Sequence, residues 1–295
     1  GGGTYAVVWR TASEIWFATV SPTNAAVNTV QLSATTNNAD VPTIAWGANS
    51  FLVTWSRNNS IVGARVSASG QVQGAGEFTI ASPAYSIFAP SVASDGTNWL
   101  VTWQAFPNGG SNLEIEAVRV SSTGTVLGSV FTASHSTSSE FHPEVVFTGS
   151  TYLIMWGDWR NSQTTGDDIY AVRVATNGTV MDASDIKICD ALGSQGSQNN
   201  LLRDMGLACN TGNGTCFASW KDSRTTDLNI YGSILNNNGI PPDTSGILVS
   251  SGANEQQNPA VATDGTNYLV VWEDFRNRSV ERLVIKVAQN NDPGS

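Results

Sequence analysis

Three aspartate–arginine pairs stand at the same offset behind a tryptophan: Asp158 and Arg160 after Trp156, Asp222 and Arg224 after Trp220, Asp274 and Arg276 after Trp272. Gathered at one end of a fold, they would make a ring of ligand groups. The structural alternative has each Asp capping a turn through backbone N–H groups while its Arg lies on an aromatic ring or pairs with a carboxylate. A pattern repeated with the fold usually serves the fold, which favours the alternative. Trp159, inside the first pair and in a polar loop, has the character of a sugar-stacking platform. Asp158, Asp167, Asp168, Asp222 and Asp227 supply carboxylates of the kind a glycosidase needs as a pair at defined separation. Any acidic chain offers as much. The segments NSQTTGDD (161–168) and TTDLN (225–229) are rich in oxygen donors, so Asp167, Asp168 and Asp227 could hold a structural calcium. The competing reading is ordinary solvated turns, and no other cofactor is implied.

Other chemistries find less support. The two histidines, His135 and His142, lie in a Ser-rich connection without carboxylate or Cys at metal-ligand spacing. No G-x-S-x-G elbow occurs. SDGTNW at 94–99 is close to the sialidase Asp-box but has the wrong spacing. With 14 basic against 24 acidic residues and a net charge of −10, the chain has no basic stripe to neutralise phosphates, which argues against nucleic acid and anionic membrane surfaces. No stretch approaches the roughly 20 apolar residues that would span a bilayer, so membrane insertion is not expected. The sequence begins without a charged region followed by an apolar core, so a signal peptide would lie upstream of Gly1. Four N-x-S/T sequons, at Asn58, Asn177, Asn213 and Asn277, fall in expected turns and would be open to glycosylation.

The elements that must position these residues come from a repeat. Apolar runs ending in Trp recur at Trp9, Trp55, Trp103, Trp156, Trp220 and Trp272, with spacings of 46, 48, 53, 64 and 52 residues. Periods of roughly 40 to 50 residues belong to propeller blades, each a four-stranded sheet that cannot bury both faces alone. The fourth repeat is the clearest: HPEVVF, GS, YLIMW, the loop GDWRNSQTTGD, DIYAVRV, ATNG and DIKIC read as strands a, b, c and d with their turns. The third (PSVAS, DGTN, WLVTW, EIEAVRV, SSTG, VFTAS) and sixth (PAVAT, DGTN, YLVVW, EDFRNRSVE, RLVIKV) follow the same grammar. The Gly after strand c (Gly70, Gly124, Gly178, Gly239) marks its turn. The marker tryptophans should fill the wedges between blades.

The expected fold is therefore all-β: a six-repeat β-propeller of four-stranded antiparallel blades, one domain over 1–295. Its blades fall near 1–35, 36–84, 85–136, 137–190, 191–251 and 252–295. The sequence enters at strand b of the first repeat and ends after strand c of the sixth. The first and last blades are thus expected to be incomplete, completed by upstream residues or by strands from a neighbouring copy. Cys209 and Cys216 flank NTGNGT at facing ends of a hairpin and read as a disulfide, with two free thiols as the alternative. Cys189 reads as a buried small hydrophobe. The longest spacing comes from an insert at 190–205 between the fourth and fifth blades.

The motif W-x-D-x-R followed by D-I-Y-A-x-R-V and x-x-x-G, here Trp156, Asp158, Arg160, Asp168 to Val174 and Gly178, resembles the tandem propeller repeats of bacterial secreted and cell-surface proteins. It covers most of the chain, strongly in the fourth and sixth repeats and loosely in the first two. The resemblance implies fold and an extracellular or cell-surface location. TASEIWFATV, SRNNSIVGARV and QAFPNGG replace the D-x-R segment in the first three repeats, so that segment is not required of every blade. The expectation is a non-enzymatic recognition or structural module that binds a glycan or a surface protein. The alternatives are a homo-oligomeric fibre subunit joined through edge strands, which predicts filaments, and a carbohydrate-active enzyme, a glycosidase or lyase, which predicts convergent carboxylates.

Overall fold

The computed structural model describes residues 5–12, 14–20, 26–33, 39–107, 110, 112–196, 204–276 and 282–288. Among these there are 22 strands and no α-helix, arranged as six sheets in which each strand pairs antiparallel with its chain neighbours. The chain divides into two compact units, one ending at Ala133 and one beginning at Ser134.

In the first unit the sheets are β1 (Tyr5–Thr11) to β3 (Ala26–Gln31) through β2 (Glu14–Val20); β4 (Ala39–Gly47), β5 (Ser50–Arg57), β6 (Ser60–Ser67) and β7 (Val72–Ala81); and β8 (Ile87–Ser94), β9 (Asn98–Ala105), β10 (Glu114–Ser121) and β11 (Val126–Thr132). The second unit holds β12 (Glu140–Phe147), β13 (Tyr152–Asp158), β14 (Asp168–Val174) and β15 (Ile186–Cys189); β16 (Met205–Cys209), β17 (Cys216–Asp222), β18 (Asn229–Leu235) and β19 (Ile247–Ser250); and β20 (Gln256–Thr263), β21 (Tyr268–Asp274) and β22 (Arg282–Ala288).

Tyr152 to Trp156 of β13 are all buried in sequence, with no polar alternation. One core cluster joins β2, β5 and β6 around Phe17 and Trp55, and another joins the second and third sheets around Trp99 and Trp103. In the second unit, Met155, Ile169, Leu207 and Trp220 pack the fourth sheet on the fifth, while Phe217, Tyr268 and Trp272 pack the fifth on the sixth. Five marker tryptophans, Trp55, Trp103, Trp156, Trp220 and Trp272, have no exposed surface. Trp9 departs from that expectation. It is half-buried and stacks on Trp16 across the β1–β2 pair at 6.4 Å.

The first strand of a repeat starts earlier than the sequence suggests. PSVAS, HPEVVF and PAVAT are only the later parts of their strands, for β8, β12 and β20 begin at Ile87, Glu140 and Gln256. Each crosses a bulge at its X-Pro pair, and Ala89, His142 and Asn258 take φ values of 51°, 53° and 53° there. Proline cannot donate to the ladder, so the strand survives only by bulging around it.

Turn chemistry is as the residues dictate. Asp95 Oδ1 accepts the N–H groups of Thr97 and Asn98 at 2.8 and 2.7 Å, and Asp264 repeats this with Thr266 and Asn267. Gly239 turns the chain at φ 74°, where a Cβ would also lie 2.7 Å from Leu153 Cδ1. Cys209 faces Cys216 in the β16–β17 register and is bonded to it, while Cys189 is buried and free. The Cys189 thiol is pushed up to about 12 by burial.

Candidate functional site

The aspartate of each D-x-R segment ends the second strand of its sheet and turns back on its own loop. Asp158 accepts the Trp156 indole N–H at 3.2 Å, the Arg160 backbone N–H at 2.7 Å, and both Nε and Nη2 of Arg160 at 2.9 and 2.6 Å. In the fifth sheet Asp222 does the same for Trp220, at 3.0 Å, and for Arg224. In the sixth, Asp274 holds Arg276 through its backbone N–H, Nε and Nη2. The three carboxylates are buried to 2 % exposure or less. Cross-strand register supplies the rest: Tyr170 lies opposite Trp156 and Tyr231 opposite Trp220, and the guanidinium carbons of Arg160 and Arg224 sit 3.7 and 3.9 Å above those rings. Val284 takes that register position in the sixth sheet, and the Arg276 side chain is 45 % exposed.

Beyond its aspartate, Arg160 Nη2 donates to Asp185 at 2.6 Å, and His135 Nδ1 lies 2.9 Å from the same buried carboxylate. Burial alone would lower the Arg160 guanidinium, but its bonds to Asp158 and Asp185 outweigh that and raise it. The hydrogen bond to Arg276 holds the Asp274 carboxyl below the usual range. The third sheet lacks D-x-R, and there Glu116, opposite Trp103, accepts the indole N–H at 3.0 Å and the Tyr85 hydroxyl at 2.6 Å. A carboxylate for the buried indole thus recurs even where the sequence motif does not.

The loop between β13 and β14 carries Trp159, Asp167 and Asp168. Trp159 is 44 % exposed, yet its ring meets Phe141 edge-on at 5.6 Å. Asp167 is itself 5 % exposed, and its Oδ2 has no hydrogen-bond partner among the described residues. Burial, reinforced by the neighbouring Asp168, pushes the Asp167 carboxyl up to about 6 against the pull of Ser194, Trp159 and Lys221. Asp168 accepts Asn161 Nδ2 at 2.6 Å and Thr165 Oγ1 at 2.8 Å, and burial raises it too. In the fifth sheet, Thr225 Oγ1 and Asn229 Nδ2 donate to the carbonyl of Asp227. No group of three or more His, Cys, Asp or Glu side chains among the described residues is arranged to hold a metal ion. Asn58, Asn177 and Asn213 are exposed in turns, and Asn277 lies outside the described residues.

Sequence reasoning could not name the partners that complete this site. Asp185, Phe141, Tyr170 and Ser194 reach it through register or packing, with no local pattern to mark them. Asp204 is another such residue: fully buried, it binds Lys221 at 2.6 Å and accepts the Asn258 N–H at 3.2 Å.

The chain matches no protein-family model and no curated protein. Solved structures do match it. An endo-arabinase from Bacteroides thetaiotaomicron is 14% identical, with 85% of this chain and 94% of that one covered and a TM-score of 0.54. A thermostable family-43 glycoside hydrolase is 11% identical over 87% and 90% of the two chains, with a TM-score of 0.53. A putative TolB from Agrobacterium tumefaciens is 12% identical over 89% and 81%, with a TM-score of 0.51. At such identities the likeness is one of fold, and the fold is the β-propeller. Among the described residues no helix is long and apolar enough to cross a membrane.

Proposed function

We propose that this chain is an extracellular recognition module that binds a saccharide without turning it over, with Trp159 as the stacking platform. The observation that supports it is a tryptophan with 44 % of its surface exposed whose ring is nonetheless braced edge-on by Phe141 at 5.6 Å. A fixed aromatic face loses little side-chain freedom when a sugar ring stacks on it. The Cys209–Cys216 disulfide fits an oxidising compartment. The D-x-R carboxylates, each closed on a guanidinium and, in Asp158 and Asp222, on an indole as well, serve the repeat and leave recognition to the loops. Binding to a glycan array is the test: the intact chain should retain a discrete set of neutral glycans, and Trp159→Ala should lose them while keeping its unfolding temperature. Retention of the same glycans by Trp159→Ala would end this reading.

A second reading, a carbohydrate-active enzyme, has one observation in its favour. Asp167, titrating near 6 beside an exposed aromatic, has the character of a general acid, and two of the structurally similar proteins are an endo-arabinase and a glycoside hydrolase. It requires reducing ends to appear when the protein is incubated with arabinan, and Asp167→Asn to stop their release. Binding without release supports the module.

A further inference from the structure

A second aromatic stands where Trp159 does. Phe275 follows Trp272 by three residues, as Trp159 follows Trp156. The backbone N–H of each donates to the carbonyl of the residue just before the first strand of its sheet, Trp159 to Ser139 and Phe275 to Glu255, both at 3.0 Å. Phe106 repeats the bond to Ser86 at 2.9 Å. The surroundings differ. Beneath Trp159 lies Phe141, whereas the matching position in the sixth sheet is Gln257, one residue into β20. Instead of a packed ring pair, the structure has an open cleft of about 450 Å³ lined by Thr226, Asp227, Leu228, Asn254, Glu255 and Phe275.

The cleft is built from three segments that hold one another. Gln256 N–H donates to Leu228 O at 2.9 Å, joining the β17–β18 loop to the start of β20. Asn254 sits at φ 69°, a left-handed conformation that a non-glycine residue adopts at a cost, and its Nδ2 donates to Arg276 O at 3.3 Å. Among the described residues, no hydrogen bond or ion pair holds the carboxylate of Asp227 or of Glu255. Asp158, Asp222 and Asp274 are each closed on an arginine, so these two are set apart.

We infer that this cleft is a second saccharide subsite, taking a neutral, hydroxyl-rich sugar unit on the face of Phe275. This rests on the reading of Trp159 as a glycan platform. The volume falls within the range of small-ligand sites, one aromatic wall offers stacking, and hydroxyl, amide and carboxylate groups converge on the same space. Two carboxylates with no partner among the described residues accept hydrogen bonds from sugar hydroxyls and repel uronates, sialic acids and phosphates.

The test is affinity electrophoresis of the intact protein, with EDTA present, through gels containing arabinan, galactan, xylan or glucan, and through polygalacturonate as the acidic control. Phe275→Ala, the double variant Asp227→Asn/Glu255→Gln, and Trp159→Ala are run beside it, each with its unfolding temperature measured. Retardation by a neutral polysaccharide is expected to weaken about tenfold in Phe275→Ala, with a comparable loss in the double variant, which keeps the shape of the walls should Phe275→Ala not fold. Loss in Trp159→Ala alone would overturn the inference and leave the module standing. Retardation only by polygalacturonate, or only when calcium replaces EDTA, would overturn it as well. No retardation of the unaltered protein by any of these polymers would remove both.

Discussion

Asp158 and Asp222 each satisfy a buried indole N–H, a turn and an arginine at once, Asp274 a turn and an arginine, and these partners set what each arginine is worth. Arg160 bridges two fully buried carboxylates, Asp158 and Asp185. Truncating it leaves charge in the interior with fewer partners, a loss that in buried pairs runs to about 3 kcal/mol. Arg276 is 45 % exposed and bridges one carboxylate, so its loss should cost no more than about 1 kcal/mol. Urea unfolding of Arg160→Ala and Arg276→Ala compares the two, and equal losses would refute this account. Asp167 makes a pH prediction. Its folded carboxyl titrates near 6, above the 3.8 of an ordinary aspartate. Between those values the folded chain binds the proton and the unfolded chain does not, so stability falls as pH rises through that window and is flat above it. Asp167→Asn should lack this decline. Unfolding temperatures of the two proteins at pH 4 and pH 8 should therefore diverge in favour of the variant at the higher pH, and parallel curves would show that the site does not titrate there.

At the scale of strands and turns, what was legible in the sequence was whatever is local. The Trp markers, the DGTN turns and the facing cysteines each depend on residues within one hairpin, where spacing alone decides which groups meet. The Pro bulges were not legible: HPEVVF and PAVAT read as plain strands, and nothing local shows that the pairing continues upstream of His142-Pro143 and Asn258-Pro259. Tyr170 beneath Arg160 and Glu116 behind Trp103 needed cross-strand register, which a loop of variable length hides. The candidate site was therefore visible as Asp158, Trp159, Arg160 and Asp167, and invisible as the contacts that fix them. The β16–β17 hairpin offers the test at this scale. Its disulfide closes a sequence separation of 7, a small loop, for which chain entropy gives about 2.5 kcal/mol. The double variant Cys209→Ser/Cys216→Ser should lose that amount in denaturant unfolding and remain folded, because Leu207, Ala218 and Trp220 still hold the hairpin in its core. Failure to fold would mean that the bond does more than constrain the unfolded chain.

For the whole molecule, six sheets of near-equivalent design distribute stability rather than concentrate it. Each core cluster is shared by two successive sheets, and the clusters around Trp55 and Trp103 contain no residue of those around Trp220 and Trp272. In such repeat stacks stability is a sum of local and nearest-neighbour contributions, so damage spreads only as far as the shared cores carry it. Trp220 makes the sharpest probe: it is fully buried, its indole N–H donates to Asp222, and its core joins the fourth and fifth sheets. Trp220→Leu opens a cavity and leaves Asp222 without that donor, a combined loss of about 3 kcal/mol or more. Native-state hydrogen exchange should then accelerate through β13 to β21 and stay unchanged in β5 to β10, within the unit that ends at Ala133. Uniform acceleration across both units would instead show that the propeller opens as one cooperative body, and a saccharide held by Trp159 would then protect the strands around Trp55 as strongly as those around Trp220.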